Sequence, residues 1–236
     1  MEAQELWPGG PLFWQSEHFR LSTDSVLLAD FVRPRGAEKG IDLGCGSGVL
    51  PLMLAQRCAG LHMTGLELLP EAAAAARENA ACNGLEGRIA VVEGDIRRHR
   101  TLFSAGSFDL AVSNPPYFPP DRGAVSPREE RALARTEGSC SLEELCAAAA
   151  FLLRSGGSFF LVHRPERLSE LCVCLSAHGL EPKRLRLVCH RAENAPSLLL
   201  LEARRGGRPG LEVEPTLFLC GPDGAESGEY RRIYHR

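Results

Sequence analysis

Two kinds of apolar pattern alternate along this chain. Short apolar runs bounded by glycine, proline or asparagine are separated by longer stretches in which apolar residues recur every three or four positions. The first kind predicts buried strands and the second predicts helices packed by one face. Lys39 to Leu43 is a short strand running into glycines at 44, 46 and 48, and Val49 to Arg57 is the helix after it, with Pro51 tolerated in the first turn. Leu61 to Leu66 predicts a second strand, and Pro70 to Cys82 an alanine-rich helix opened by proline and stopped at Asn83-Gly84. Ile89 to Val92 and Phe108 to Val112 predict the third and fourth strands.

The alternation continues in the second half. Ser141-Leu142-Glu143-Glu144 has the form of a capping box, and Leu145, Ala148, Ala149 and Leu152 share a helical face that Gly156-Gly157 is expected to end. Phe159 to Val162 predicts a fifth strand. Leu168, Leu171, Cys172 and Leu175 mark a helix closed by Gly179. Leu185, Leu187 and Cys189 alternate with Arg184, Arg186 and Val188, which predicts a half-exposed strand, whereas Ser197 to Leu201 reads as a buried one. Strand–helix alternation of this kind predicts an α/β fold with a mostly parallel sheet and helices on both faces. Ahead of it, Thr23 is expected to cap a short helix carrying Val26, Leu27 and Phe31 that stops at Pro34. The expected organisation is an N-terminal lead over residues 1–38, with its helix near the ligand site, a main domain over 39–205, and a C-terminal appendage over 206–236 that begins in a glycine- and proline-rich turn.

Composition narrows the class. No apolar run reaches the length of about 18 residues that a membrane span needs, and Met1 to Gly10 lacks a basic-then-apolar leader pattern. Nine cysteines, an odd number with no CxxC spacing, argue against a disulfide framework or a zinc site. A reduced, cytoplasmic, metal-free protein is expected. The net charge of −3 gives no global attraction for nucleic acid, so any phosphate contact must be local. All but two of the cationic side chains, Lys39 and Lys183, are arginine. Arginine's forked donors suit phosphates and base edges, but genome composition is the commoner cause of such a bias, so composition alone does not show nucleic-acid binding.

Three clusters of residues carry chemistry. Asp42-Leu43-Gly44-Cys45-Gly46-Ser47-Gly48 joins a strand to a helix, where glycines let the backbone turn sharply and approach a ligand. Its GxGxG spacing differs from the GxGxxG that wraps a pyrophosphate. It better suits S-adenosylmethionine, whose ammonium group Asp42 can meet. Glu67, followed by Leu68, ends the second strand, where a carboxylate either accepts ribose hydroxyls or is a solvated strand-end acid. Asp95, followed by Ile96, lies beyond the third strand, where it either accepts from an adenine amine, with Ile96 on the ring, or caps a helix. All three acids fall at the carboxyl edge of the sheet, where open α/β sheets bind ligands.

The third cluster, Asn114-Pro115-Pro116-Tyr117 after the fourth strand, is the most informative. Two prolines withdraw two N–H donors and forbid helix, leaving a stiff corner of carbonyls, one amide and one ring. An exocyclic amine on a base is a weak nucleophile because its lone pair is delocalised. Asn114 Oδ1 and the Pro115 carbonyl can accept its two hydrogens and re-aim that lone pair, while Tyr117 stacks on the base.

These motifs resemble those of class I S-adenosylmethionine-dependent methyltransferases of the amino-methylating branch. The segment Phe19 to Ala29 (FRLSTDSVLLA) is similar to the N-terminal signature of the bacterial valine-tRNA adenine-N6 methyltransferase family. Leu161 to Leu168, Glu181 to Arg186 and Gly206 to Leu211 resemble its Gram-positive-type subgroup. The resemblance implies a Rossmann-like, seven-stranded sheet whose last strand is antiparallel between the fifth and sixth. It also implies methylation of the adenine at position 37, beside the anticodon of a tRNA, with that tRNA as partner. Arg164, Lys183, Arg184 and Arg186 are the candidate RNA contacts, Arg122, Arg128, Arg131 and Arg135 a second group, and Trp7, Phe13 and Trp14 candidates for stacking on loop bases or for closing over the core. The same corner would serve guanine N2 in ribosomal RNA or a protein glutamine amide. A non-catalytic RNA-binding protein that keeps the fold is the alternative of another class.

Overall fold

The computed structural model describes residues 4–14, 21–34, 36–116 and 140–235. A two-strand antiparallel hairpin, β1 (Gln4–Glu5) and β2 (Leu12–Phe13), leads into α1 (Thr23–Phe31). The main unit then runs β3 (Lys39–Leu43), α2 (Val49–Arg57), β4 (His62–Glu67), α3 (Pro70–Cys82), β5 (Ile89–Glu93), a 3-10 turn and the single-turn α4 (His99–Leu102), and β6 (Phe108–Ser113). After residue 139 come α5 (Leu142–Leu152), β7 (Leu153–His163), α6 (Leu168–Ala177), β8 (Leu180–Cys189) and β9 (Leu198–Arg205). The chain closes with β10 (Glu212–Val213), β11 (Leu217–Phe218) and α7 (Gly228–Ile233).

The sheet runs β5-β4-β3-β6-β7-β9-β8, with β10 and β11 both paired to the outer edge of β8. β3 to β7 are parallel, and β9 lies antiparallel between β7 and β8. The seven-stranded core with its antiparallel last strand is therefore present, and two short strands extend it to nine.

The unbroken apolar runs follow from burial on both faces. Leu110, Val112, Phe160, Val162, Leu198 and Leu200 face a layer made by α1 and α2. Their neighbours Ala111, Phe159, Leu161, Leu199 and Leu201 face α5 and α6. Phe159 and Phe160 point to opposite sides and are both fully buried. Each such side chain contributes roughly 1.5–3 kcal/mol by leaving water.

The structure departs from the sequence pattern in four places. The N-cap of α1 is Ser22 rather than Thr23, because Ser22 Oγ accepts from the Ser25 N–H. α5 ends at Leu152, before the glycines, since the buried Leu153 already belongs to β7. Gly157 lies in that strand, and a Cβ there would come within 2.9 Å of the Asp109 carbonyl. β8 is not half-exposed: β10 and β11 cover its outer edge, and Arg184 is buried. Finally, the C-terminal appendage is built into the fold, with Leu217, Ile233 and Tyr234 in the core layer that holds α1.

The chain reaches β3, turns outward to β4 and β5, then returns to place β6 on the other side of β3. That reversal opens a crevice at the carboxyl ends of β3 and β6. The glycine loop leaves β3 there, and Asn114 leaves β6.

Candidate functional site

Between these two strand ends lies a cavity of about 200 Å³ lined by Asp42, Gly44 to Ser47, Val49, Leu50 and Asn114, with Ser22 and Ser25 from α1 closing one wall. The glycine loop and the asparagine corner, 66 or more residues apart in the chain, thus share one hollow.

The loop is held from below. Glu67 Oε2 accepts the Gly46 N–H at 2.8 Å, and Oε1 accepts the Leu69 N–H at 2.9 Å. Glu67 is mostly buried, so it is a loop brace and not a solvated strand-end acid. Each oxygen keeps a second acceptor direction. Asn79 on α3 donates to the Ser47 carbonyl at 2.9 Å and accepts the Trp14 N–H at 2.7 Å, tying the loop to the N-terminal lead. Gly48 begins α2 with φ +83°, and a Cβ there would sit 3.0 Å from the Ala76 Cβ. Only glycine allows α3 to pack this close to the loop.

Asp42 is buried at the end of β3, and its Oδ1 has no hydrogen-bond partner among the described residues. Burial, and then the nearby Glu67 charge, push its carboxyl well above the ordinary carboxylate range. A buried carboxylate without a partner is costly unless a cation or donor completes it. The ammonium group of S-adenosylmethionine is such a cation, so the residues present fit that cofactor. The Cys45 thiol is likewise driven up by burial and by Asp42 and Glu67, which keeps it protonated and inert.

Asp95 caps the turn after β5: its carboxylate accepts the Arg97 N–H at 2.8 Å and pairs with the Arg97 guanidinium, which holds it below the usual carboxylate range. The capping role is therefore present. Ile96 Cδ1 lies 4.0 Å from where a Cβ on Gly44 would stand, so this turn does border the loop. Leu68 is a partly exposed apolar side chain at 38%.

Asn114 shows a contact that the sequence did not suggest. Its Nδ2 donates to Ser25 Oγ at 2.9 Å and to Ser22 Oγ at 3.2 Å. Oδ1, on the same planar carbon, is turned the other way. Pro115 is buried and Pro116 exposed, while Tyr117 and the arginines at 122, 128, 131 and 135 lie outside the described residues.

The expected RNA contacts need correction. Arg184 is 2% exposed, paired with Glu202 at 3.0 Å and Glu214 at 2.9 Å, and donates to the Phe31 carbonyl at 2.8 Å. Its guanidinium also lies over the Phe31 ring. Arg186 is held by both Glu229 oxygens and the Pro215 carbonyl. Glu214, Pro215 and Glu229 of the appendage join Glu202 and Phe31 in holding them, so neither arginine presents a free face to a phosphate. Lys183 donates to the Arg208 carbonyl, and Arg164 stays exposed. Phe13 is buried and Trp7 stacks on His235, so these two rings close over the core.

The family profile called the methyltransferase small domain matches residues 18–172. A tRNA1(Val) (adenine(37)-N6)-methyltransferase of Tolumonas auensis is 35% identical over 89% of this chain and 86% of that protein. Proteins of the same name from Porphyromonas gingivalis and Aeromonas hydrophila are 34% and 36% identical, each over 91% of this chain and over 86% and 88% of their own lengths. The chain belongs to this methyltransferase family. Its structure resembles one described as a predicted O-methyltransferase from Agrobacterium tumefaciens, with a TM-score of 0.71, 21% identity, and coverage of 90% of this chain and 96% of that one. At that identity the likeness establishes the class I fold alone. This methyltransferase draws its methyl group from S-adenosylmethionine, and among its described residues no helix is long and apolar enough to cross a membrane and no metal-binding cluster occurs.

Proposed function

We propose that this methyltransferase methylates N6 of an adenine in tRNA, the base at position 37 of a valine tRNA, and that Asn114 and Pro115 hold the reacting amine. The observation that carries the site is the Asn114 amide, fixed by two serines at the rim of the cavity that also holds Asp42 and the glycine loop. The names of the relatives support the substrate.

The cofactor, when bound, supplies an electrophilic methyl group on a sulfonium. Asp42 would hold its ammonium, the Gly44–Gly48 loop would lie along its backbone, Glu67 would offer its remaining lone pairs to ribose hydroxyls, and Leu68 and Ile96 would flank the adenine. Asp95 would reach that adenine only through the acceptor directions Arg97 leaves open. Asn114 Oδ1 and the Pro115 carbonyl accept the two hydrogens of the target amine. That pulls the nitrogen out of conjugation and turns its lone pair toward the methyl. No strong base is needed, because the methylated amine is acidic enough to lose its proton to water. Catalysis then rests on positioning and oriented dipoles. A base in a loop costs less to unstack than a paired one, which favours an anticodon loop over a duplex. Such a substrate is met in the cytoplasm.

The test combines purified protein, unmodified valine tRNA and mass spectrometry of the nucleosides. N6-methyladenine at position 37 is expected. Asn114→Ala should lower kcat by about 100-fold or more, the loss seen when one oriented polar contact to a reacting group is removed. Cofactor affinity should stay within about threefold. A methylated guanine, or a methylated protein amide with no tRNA product, would overturn the substrate; normal turnover by Asn114→Ala would overturn the catalytic corner.

A further inference from the structure

Ser22, the N-cap of α1, and Ser25 in its first turn fix the Asn114 amide, and their hydrogen-bond arithmetic is constrained. Ser22 Oγ caps α1 by accepting the Ser25 N–H at 3.3 Å, and it lies 3.1 Å from Ser25 Oγ. Both hydroxyls face Asn114 Nδ2. A serine hydroxyl has one hydrogen and two lone pairs. Ser22 uses its lone pairs on the Ser25 N–H and on Asn114, so its hydrogen goes to Ser25 Oγ. Ser25 then accepts from Ser22 and from Asn114, and both of its lone pairs are filled. As arranged, the pair accepts from Asn114 at both oxygens, and the three groups make three hydrogen bonds among themselves. Rotating the amide by half a turn would leave only the two hydroxyl hydrogens to serve all three oxygens, one bond fewer. It would also aim Nδ2 at the substrate's own N–H groups.

We propose that Ser22 and Ser25 are positioning residues that lock the Asn114 amide with its oxygen toward the exocyclic amine, which makes this corner selective for a donor NH2 over an acceptor such as a ring nitrogen or a carbonyl oxygen. This rests on the assignment of Asn114 to the reacting amine. The coupling joins the N-terminal lead to the end of β6 across 89 or more residues. Ser25 is buried, so its hydroxyl is shielded from competing water.

The test measures full-length variants Ser25→Ala, Ser22→Gly, the double Ser22→Gly/Ser25→Ala, and Ser22→Thr. Glycine remains an acceptable N-cap, so Ser22→Gly removes the hydroxyl while sparing the helix. Kinetics on tRNA, calorimetric cofactor binding and thermal melting are compared with Asn114→Ala. Expected are a fall in kcat of about 10- to 100-fold in the double variant, cofactor affinity and KM within about threefold, and near wild-type kcat in Ser22→Thr. Wild-type kcat in the double variant, with Asn114→Ala inactive, overturns the positioning role and leaves the catalytic corner standing. Wild-type kcat in both overturns the corner as well. A loss confined to cofactor affinity makes the serines cofactor ligands and overturns the proposal, as does a Ser22→Thr variant no better than Ser22→Gly.

Discussion

Arg184→Met removes a buried cation whose carboxylate partner cannot reach water. Glu202, opposite it on β9, is fully buried, 3.0 Å away, and also accepts from Ser158 Oγ at 3.1 Å. Glu214 is less exposed to the loss, because Arg33 also meets it at 2.9 Å. Glu202 would keep Arg204 at the longer distance of 3.6 Å, so losing its closest buried partner costs up to about 3–5 kcal/mol. With an unfolding entropy of about 2.1 cal/mol/K per residue over 236 residues, that corresponds to a Tm lower by roughly 6–10 °C. Arg184→Met/Glu202→Gln removes both charges and keeps an acceptor for Ser158, so it should recover at least half of the loss. The assay is urea and thermal unfolding of both variants at low and high salt, where burial should leave the difference nearly unchanged. A single variant within about 1 kcal/mol of wild type would refute the account of a buried pair. A stable variant with a salt-dependent loss of tRNA affinity would instead restore Arg184 to the RNA surface.

Other outcomes follow from the buried titratable groups. Asp42 keeps its proton in the folded protein to a higher pH than in the unfolded chain, so its contribution to stability is present below about pH 4 and is lost as pH rises. Asp42→Asn should therefore melt above wild type at pH 7 while binding the cofactor at least about tenfold more weakly. Across a pH series, wild type should also release protons on binding wherever Asp42 is protonated in the free protein, seen as a dependence of the calorimetric heat on buffer ionisation; no such dependence at any pH would sink the ammonium assignment. Burial, and then Arg167, lower His163 to about 4, so its stabilising effect is full above its unfolded value near 6.5 and is lost as pH falls toward 4. The whole window is worth up to about 3 kcal/mol, and His163→Asn should flatten the acid limb of a Tm–pH profile; an unchanged limb would locate acid lability elsewhere.

The strands around the site were legible because burial on both faces leaves apolar runs that no other element of that length tolerates. Asp42, the glycines and Asn114 were legible because strand ends in a parallel sheet must converge. The Arg184 strand misled for a definite reason. A period of two tells which side chains share a face, not whether that face is covered. Its cover is Phe31 from α1 together with Glu214, Pro215 and Glu229 from the end of the chain, all remote from β8 in sequence. The role of Glu67 as a brace was hidden because its partners are backbone N–H groups. The serine contacts of Asn114 join segments about 90 residues apart, which local pattern does not reveal.

α1 carries the serines that touch Asn114, and it is gripped by the last part of the chain. Arg232 on α7 pairs with Asp30, and Glu214 pairs with Arg33 just beyond α1. During synthesis the ribosome delivers α1 early and its clasp some 200 residues later. Until residue 232 has been made, a nascent chain holds the glycine loop while the wall opposite Asn114 is unsecured. A product terminated before that clasp would carry every residue of the hollow and still lack the contact that steadies its wall.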